Sequence, residues 1–152
     1  MKFLLIVLIF ITGCASTTLN TDSGVSRQQL LILPKFITNS MAIDAYKEAI
    51  RNAEKNNKLN NNKELLDRVK NISYKLIDEV TIFRDDAKEW KWEINVEESE
   101  EVNAYCMPGG KIMVFSGLVK KVNATDDELA AVIGHEISHA LREHGRERMS
   151  TA

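Results

Sequence analysis

A chain of 152 residues has the length of a single domain. Its residues are 44% apolar and 28% charged, the composition of an ordinary soluble protein. A formal net charge of −2 offers no general attraction for nucleic acid.

The first residues read as a targeting segment. Lys2 supplies a positive start, and the apolar run from Phe3 to Ile11 is too short to span a bilayer comfortably. Ile11-Thr12-Gly13-Cys14 follows and resembles the bacterial lipobox, with Ile11 where Leu is usual. Residues 1–13 are therefore expected to be a lipoprotein signal peptide, with Cys14 lipidated as the new N-terminus. An uncleaved anchor or an ordinary secretory signal is the alternative, and each of these places the domain outside the cytoplasm. Ala15 after the cysteine, by resemblance to lipoprotein sorting in Gram-negative bacteria, favours the outer membrane. With Cys14 acylated, Cys106 has no partner for an intrachain disulfide and is expected to be buried and inert, a reactive or ligating thiol being the alternative.

Residues 14–29 carry the lipidated cysteine and a stretch rich in Ser, Thr, Asn, Asp and Gly, expected to be a flexible tether. The domain is expected over residues 30–152. Leu30-Leu31-Ile32-Leu33-Pro34 suits an edge strand or a packed arm. From about Lys35 to Asn56, Ile37, Met41, Ala45, Tyr46, Ala49, Ile50 and Ala53 recur at helical spacing. An asparagine-rich loop precedes a second helix, about Lys63 to Phe83, with Leu65, Val69, Ile72, Leu76, Val80 and Phe83 as its buried stripe. Trp90, Trp92, Ile94 and Val96 then alternate with polar residues, as in a half-buried strand. Glu97 to Glu101 is an acidic turn. Val102 to Met107 and Lys111 to Phe115 are two further strands, joined by Pro108-Gly109-Gly110. Three antiparallel strands are expected before the next helix.

That helix carries the chemistry. Thr125 and Glu128 form a capping-box pair, Asp126 and Asp127 fill the first turn, and Gly145 suits a C-cap. The expected span is about Asp126 to His144. Leu129, Ile133, Ile137, Ala140 and Leu141 make one apolar stripe, and His135 and His139 lie nearly opposite its centre. Residues four apart on a helix differ by about 40° and roughly 6 Å along the axis, so both imidazoles reach one metal ion. Glu136 beside them can take a proton from water. This is the H-E-x-x-H pattern of a zinc site with a carboxylate base. Glu143 lies on the histidine stripe, but eight residues of helix rise about 12 Å, too far to share a metal. His144 falls on the apolar side of the wheel and suits a structural or capping role. No third ligand can be named from the residues themselves.

The runs Val102 to Ile112, Phe115 to Leu118 and Thr125 to Val132, the motif, and Arg142-Glu143-His144-Gly145 together resemble the peptidase family of HtpX and the CAAX prenyl proteases, most closely its periplasmic lipoprotein-type members. The resemblance implies a mainly helical α+β gluzincin fold with a small antiparallel sheet beside the motif helix. It implies Zn2+ as cofactor, His135 and His139 as ligands, and Glu136 as catalytic base. Lys111, Ile112, Met113, Val114 and Phe115 would form the sheet edge that binds substrate as an added strand. The family's third ligand is a glutamate on a later helix, which would lie beyond Ala152. A truncated chain, or a site completed by a second chain or by solvent, is then expected. The implied function is a membrane-anchored metalloendopeptidase in the bacterial cell envelope, facing the periplasm, with unfolded or damaged envelope proteins as substrates. The alternative is a catalytically incomplete lipoprotein, a remnant that binds a partner. A zinc-storing lipoprotein is a third reading, but structural zinc usually has four ligands and only two good ones are present.

Overall fold

The computed structural model describes residues 14–18 and 28–151, with only the main chain of Cys14. The expected signal peptide lies outside these residues. No described helix is long and apolar enough to cross a membrane.

Two short strands open the described chain: β1 (Cys14–Ala15) pairs antiparallel with β2 (Gln29–Leu30). Residues 14–29, expected as a tether, thus include a packed ladder. Gln29 is buried, and its side-chain amide explains why. It donates to Arg142 O at 2.7 Å and Glu147 Oε2 at 3.0 Å and accepts from Thr17 Oγ1 at 2.8 Å. The bonds to Arg142 and Glu147 tie the start of the described chain to its end.

Helix α1 (Lys35–Lys55) follows Pro34, close to the expected bounds. Its burial differs from the expected stripe. Only Thr38, Tyr46 and Ala53 are buried, while Ile37 and Met41 are exposed. Helical spacing reports which residues share a face, but not whether another element covers that face. The Tyr46 hydroxyl anchors the helix, donating to Ile112 O at 2.9 Å and accepting from Asn95 Nδ2 at 2.8 Å.

Helix α2 (Lys63–Ile77) begins where Asn62 Oδ1 accepts from Leu65 N at 2.9 Å. It stops six residues short of the expected Phe83. Two 3-10 turns, Val80–Ile82 and Asp85–Glu89, take over and leave Phe83 partly exposed. Val80 is buried by the turn just as a longer helix would bury it, so apolar spacing does not separate the two outcomes.

The sheet comprises β3 (Glu93–Glu97), β4 (Ala104–Met107) and β5 (Lys111–Phe115), in the order β3-β5-β4. It is mixed, which corrects the antiparallel expectation: β4–β5 is an antiparallel hairpin, but β3 runs parallel to β5, with Glu93 opposite Lys111 and Val96 opposite Val114. Alternation identifies strands but not neighbours. Here the hairpin returns β5 between β4 and β3. A buried Lys111 seals the register, its Nζ bonding Glu93 Oε1 and Lys91 O. Trp90 and Trp92, expected within the first strand, precede it and stack at 5.5 Å. The hairpin turn needs its glycines. Gly109 and Gly110 have φ of +82° and +80°, and a Cβ on Gly110 would lie 2.6 Å from the Trp92 ring.

One sheet face, with Ile94, Val96, Ala104, Cys106, Ile112 and Val114, forms the main core with α2 and α4 (Asp126–Leu141). On the other face Met113 is fully buried and Asn95 meets Tyr46 of α1. Each fully buried Ile, Val or Leu contributes about 1.5–3 kcal/mol, so this two-sided burial holds the sheet rigid behind the motif helix. A short helix not expected from the sequence, α3 (Ser116–Val122), continues directly from β5.

Helix α4 starts as expected. Thr125 Oγ1 accepts from Glu128 N at 3.3 Å, and Glu128 Oε2 accepts from Thr125 N at 2.8 Å. Its buried residues are Leu129, Ile133, Ile137, Ala140 and Leu141, the expected stripe. Its end differs. The helix stops at Leu141, Arg142 caps it, and Glu143 turns left-handed at φ +49° before α5 (His144–Thr151). Gly145 is not the cap but lies within α5. A non-glycine residue in this conformation costs about 1–2 kcal/mol, so something must hold Glu143 there.

Candidate metal centre

The back of α4 is locked into the core by its apolar stripe, which turns His135, Glu136 and His139 towards solvent. His135 is exposed, and Glu136 and His139 are half-buried. Their donor atoms lie within 4.8 Å of one another. His139 Nε2 stands 3.0 Å from His135 Nε2, the rings 4.5 Å apart and nearly perpendicular at 84°. A tetrahedral zinc with bonds of about 2.0–2.1 Å separates its nitrogen donors by about 3.3 Å. The two Nε2 atoms are therefore within a few tenths of an ångström of the spacing one zinc ion asks for. The two histidines are spaced to share one zinc ion. Ser138 Oγ donates to His135 O at 2.6 Å, a bond local to the motif turn.

His144 is where the structure departs most from the wheel. It is expected far from the pair, yet its Nδ1 lies against His139 Nδ1, with ring centroids 4.8 Å apart. The break at Arg142 and Glu143 brings it back. Nothing in the sequence marks that break, because neither residue is a glycine or asparagine of the kind that ends helices left-handed. His144 faces the far nitrogen of His139, so it is not a third donor to an ion held between the two Nε2 atoms. Among the described residues, no other histidine, cysteine or carboxylate joins the set.

The break is held by charge. Glu143 is buried, with Arg84 Nη1 at 2.8 Å from one carboxylate oxygen and Arg146 Nη1 at 2.8 Å from the other. Arg84 Nη1 also donates to Leu141 O at 2.9 Å, which satisfies a carbonyl left open by the end of α4. Its guanidinium lies 5.3 Å above the Trp90 ring and pairs with Asp86. Arg146 Nε donates to Leu33 O at 2.6 Å. Burial pushes the Glu143 carboxyl up, but the hydrogen bonds from Arg146 and Arg84 outweigh it and hold the group below its ordinary range. Three charged groups thus support the turn beside the site.

The remaining expected site residues separate. Lys111, Ile112, Met113, Val114 and Phe115 form the central strand, with β3 on one side and β4 on the other. That corrects their reading as a substrate-binding edge, since their ladder bonds are already used on both sides. The outer edge of β3 is also covered: Asn60 N donates to Val96 O at 2.8 Å, Asn60 Oδ1 accepts from Val96 N at 2.8 Å, and Glu98 N donates to Lys58 O at 2.7 Å. Among the described residues, the outer edge of β4 has no strand on it. Phe115 N donates to Asn103 O at 3.1 Å, so the main-chain groups of Ala104 and Cys106 point out to that edge. Strand β4 packs directly along α4. The residues missed by sequence reasoning are therefore His144 and the edge strand. Cys106 is buried, with its thiol raised first by burial and then by the charge of Glu136, as expected of an inert thiol. Cys14 contributes its main chain to β1.

The mitochondrial metalloendopeptidase OMA1 of Arabidopsis thaliana is 49% identical over 53 residues, 35% of this chain and 11% of that protein. Metalloendopeptidase OMA1 of Bos taurus is 43% identical over 63 residues, 41% of this chain and 12% of its own length. Metalloprotease LoiP of Escherichia coli (strain K12) is 43% identical over 54 residues, 36% of this chain and 21% of its own. The chain thus spans between 11% and 21% of the length of these relatives. No solved structure matches it significantly. Residues 66–152 match Peptidase family M48. That match covers more than half of the chain and includes the sheet, the capped helix and the paired histidines, and the chain belongs to peptidase family M48.

Proposed function

We propose that this chain acts as a zinc-dependent metalloendopeptidase, anchored to a bacterial envelope through lipidated Cys14 and facing the periplasm. The observation that carries the reading is the 3.0 Å pairing of the His135 and His139 Nε2 atoms with the Glu136 carboxylate in the same cluster. His135 and His139 would hold the ion. A zinc ion there supplies a Lewis acid that polarises a peptide carbonyl and makes water nucleophilic near neutral pH.

The chain's own residues do the rest. The Glu136 carboxylate takes the proton of the attacking water and hands it to the leaving amine nitrogen. The open edge of β4 pairs with an extended substrate, whose peptide bond then lies along α4 beside Glu136. Main-chain pairing reads no particular side chain, which suits unfolded or damaged envelope proteins as substrates. Residues 1–13 would be the signal peptide and residues 14–29 the link to the lipid, with its last residues docked on α5.

Among the described residues two histidine donors converge in the cluster, which favours a second reading, a lipoprotein that binds a partner through an incomplete metal site. Metal content of the full chain against His135→Ala separates the two. The enzyme reading expects about one zinc per chain, lost in the variant, with casein cleavage abolished by Glu136→Gln while zinc stays bound. Zinc-free, well-folded protein with no cleavage leaves the binding reading.

A further inference from the structure

The imidazole of His139 has two nitrogens, and each faces another histidine. Nε2 lies 3.0 Å from His135 Nε2, while Nδ1 lies against His144 Nδ1. A neutral imidazole has one N–H donor and one bare acceptor nitrogen. A ligand nitrogen must be bare. If His139 binds metal through Nε2, its proton sits on Nδ1 and is donated to His144. His144 Nδ1 must then be bare, with its own proton on Nε2.

Resting on the zinc-site reading above, we infer that His144 is a positioning residue that holds His139 in the Nδ1–H tautomer and fixes its ring plane. Hydrogen bonds to the far nitrogen of a ligand histidine orient the ring and raise its basicity, and their loss weakens metal binding. The chain builds this contact deliberately. On a continuous helix, His144 would sit about 140° around the axis from His139. The left-handed Glu143, clamped between Arg84 and Arg146, turns the ring back towards it.

The same order of protons suits the metal-free chain. His135 Nε2–H donates to His139 Nε2, and His139 Nδ1–H donates to His144 Nδ1. The reverse order requires the less stable Nδ1–H form at two of the three histidines; this order requires it at one.

Full-length wild type, His144→Leu and His144→Asn test the inference. Asparagine keeps an acceptor oxygen close to the position of Nδ1, and leucine removes it. Long-range nitrogen–proton NMR on metal-free protein reads the His139 tautomer, and competition with a chromogenic chelator reads zinc affinity. Wild type and His144→Asn are expected to carry the His139 proton on Nδ1. His144→Leu shifts it towards Nε2 and raises the zinc dissociation constant about 10-fold to 100-fold. An unchanged tautomer and affinity in His144→Leu overturn the inference, as does a wild-type His139 protonated on Nε2. The latter result decides the matter even where the leucine variant does not fold. A wild type that takes up no zinc overturns the zinc reading instead, and the metal-free spectra still judge His144.

Discussion

The Arg84 guanidinium and the Glu143 carboxylate meet at 2.8 Å, their side chains 10% and 7% exposed, at the residue whose left-handed backbone joins α4 to α5. The pair links the 3-10 segment after α2 to the end of the motif helix. Glu143→Gln removes the carboxylate shared by Arg84 and Arg146 and leaves Asp86 as the remaining partner of Arg84, so it is expected to destabilise the fold by about 1–3 kcal/mol at neutral pH.

The two carboxylates that meet Arg84, Glu143 and Asp86, set an acid limb. Glu143 and Asp86 are both held below their ordinary carboxylate values in the folded chain, Asp86 chiefly by its hydrogen bond from Arg84. The unfolded chain therefore binds more protons than the folded one between the two values, and stability rises with pH there. The contribution is fully present above the ordinary values of 4.5 and 3.8 and is lost as pH falls through the lower folded ones. Urea midpoints measured from neutral to acid pH are expected to fall less steeply in Glu143→Gln than in wild type. Parallel curves would remove Glu143 from this role.

The proposed strand addition at the β4 edge, which carries no strand among the described residues, makes a prediction about substrates. An added strand bonds through every second residue, because alternate main-chain groups face its neighbour. N-methylation of a cleaved peptide, scanned one amide at a time, is expected to raise KM at alternate positions. A uniform response would argue against strand addition at β4.

Gly110 carries the hairpin that sets β4 against β5. With φ of +80° and Trp92 where a Cβ would go, Gly110→Ala combines backbone strain with a clash. A loss of about 1–3 kcal/mol is expected from the backbone alone, read as a lowered urea midpoint. Gly109→Ala meets the same strain without the clash and should cost less.

Cys106 is expected to resist alkylation in the folded chain. Burial raises its thiol well above the ordinary value, so almost no thiolate forms at neutral pH. Iodoacetamide labelling followed by peptide mapping should mark Cys106 only after denaturation. Rapid labelling under native conditions would mean that β4 separates from α4.

Local rules carried much of this molecule. The Thr125–Glu128 capping box, the stripe from Leu129 to Leu141 and the pairing of His135 with His139 all follow from residues within about four positions of one another. A helix brings such residues together whatever surrounds it. The glycine turn of the β4–β5 hairpin was legible for the same reason, since only positive-φ residues close it. The exposed flank of α1 and the early end of α2 were not legible. Periodicity names a face, while burial depends on what packs against it.

What the sequence by itself determined was therefore the chemistry: two histidines and a glutamate on one side of a capped helix. Only the tertiary structure decided three other things. It put β5 in the middle of the sheet and, among the described residues, left no strand on the outer edge of β4, because strand order depends on contacts between segments far apart in the chain. It ended α4 at Leu141, because Arg84, nearly sixty residues earlier, reaches both Leu141 O and Glu143. And it returned His144 to His139, because a left-handed residue with no sequence mark of its own is held in place by Arg84, a charge that reaches it only when the chain is folded, together with its neighbour Arg146.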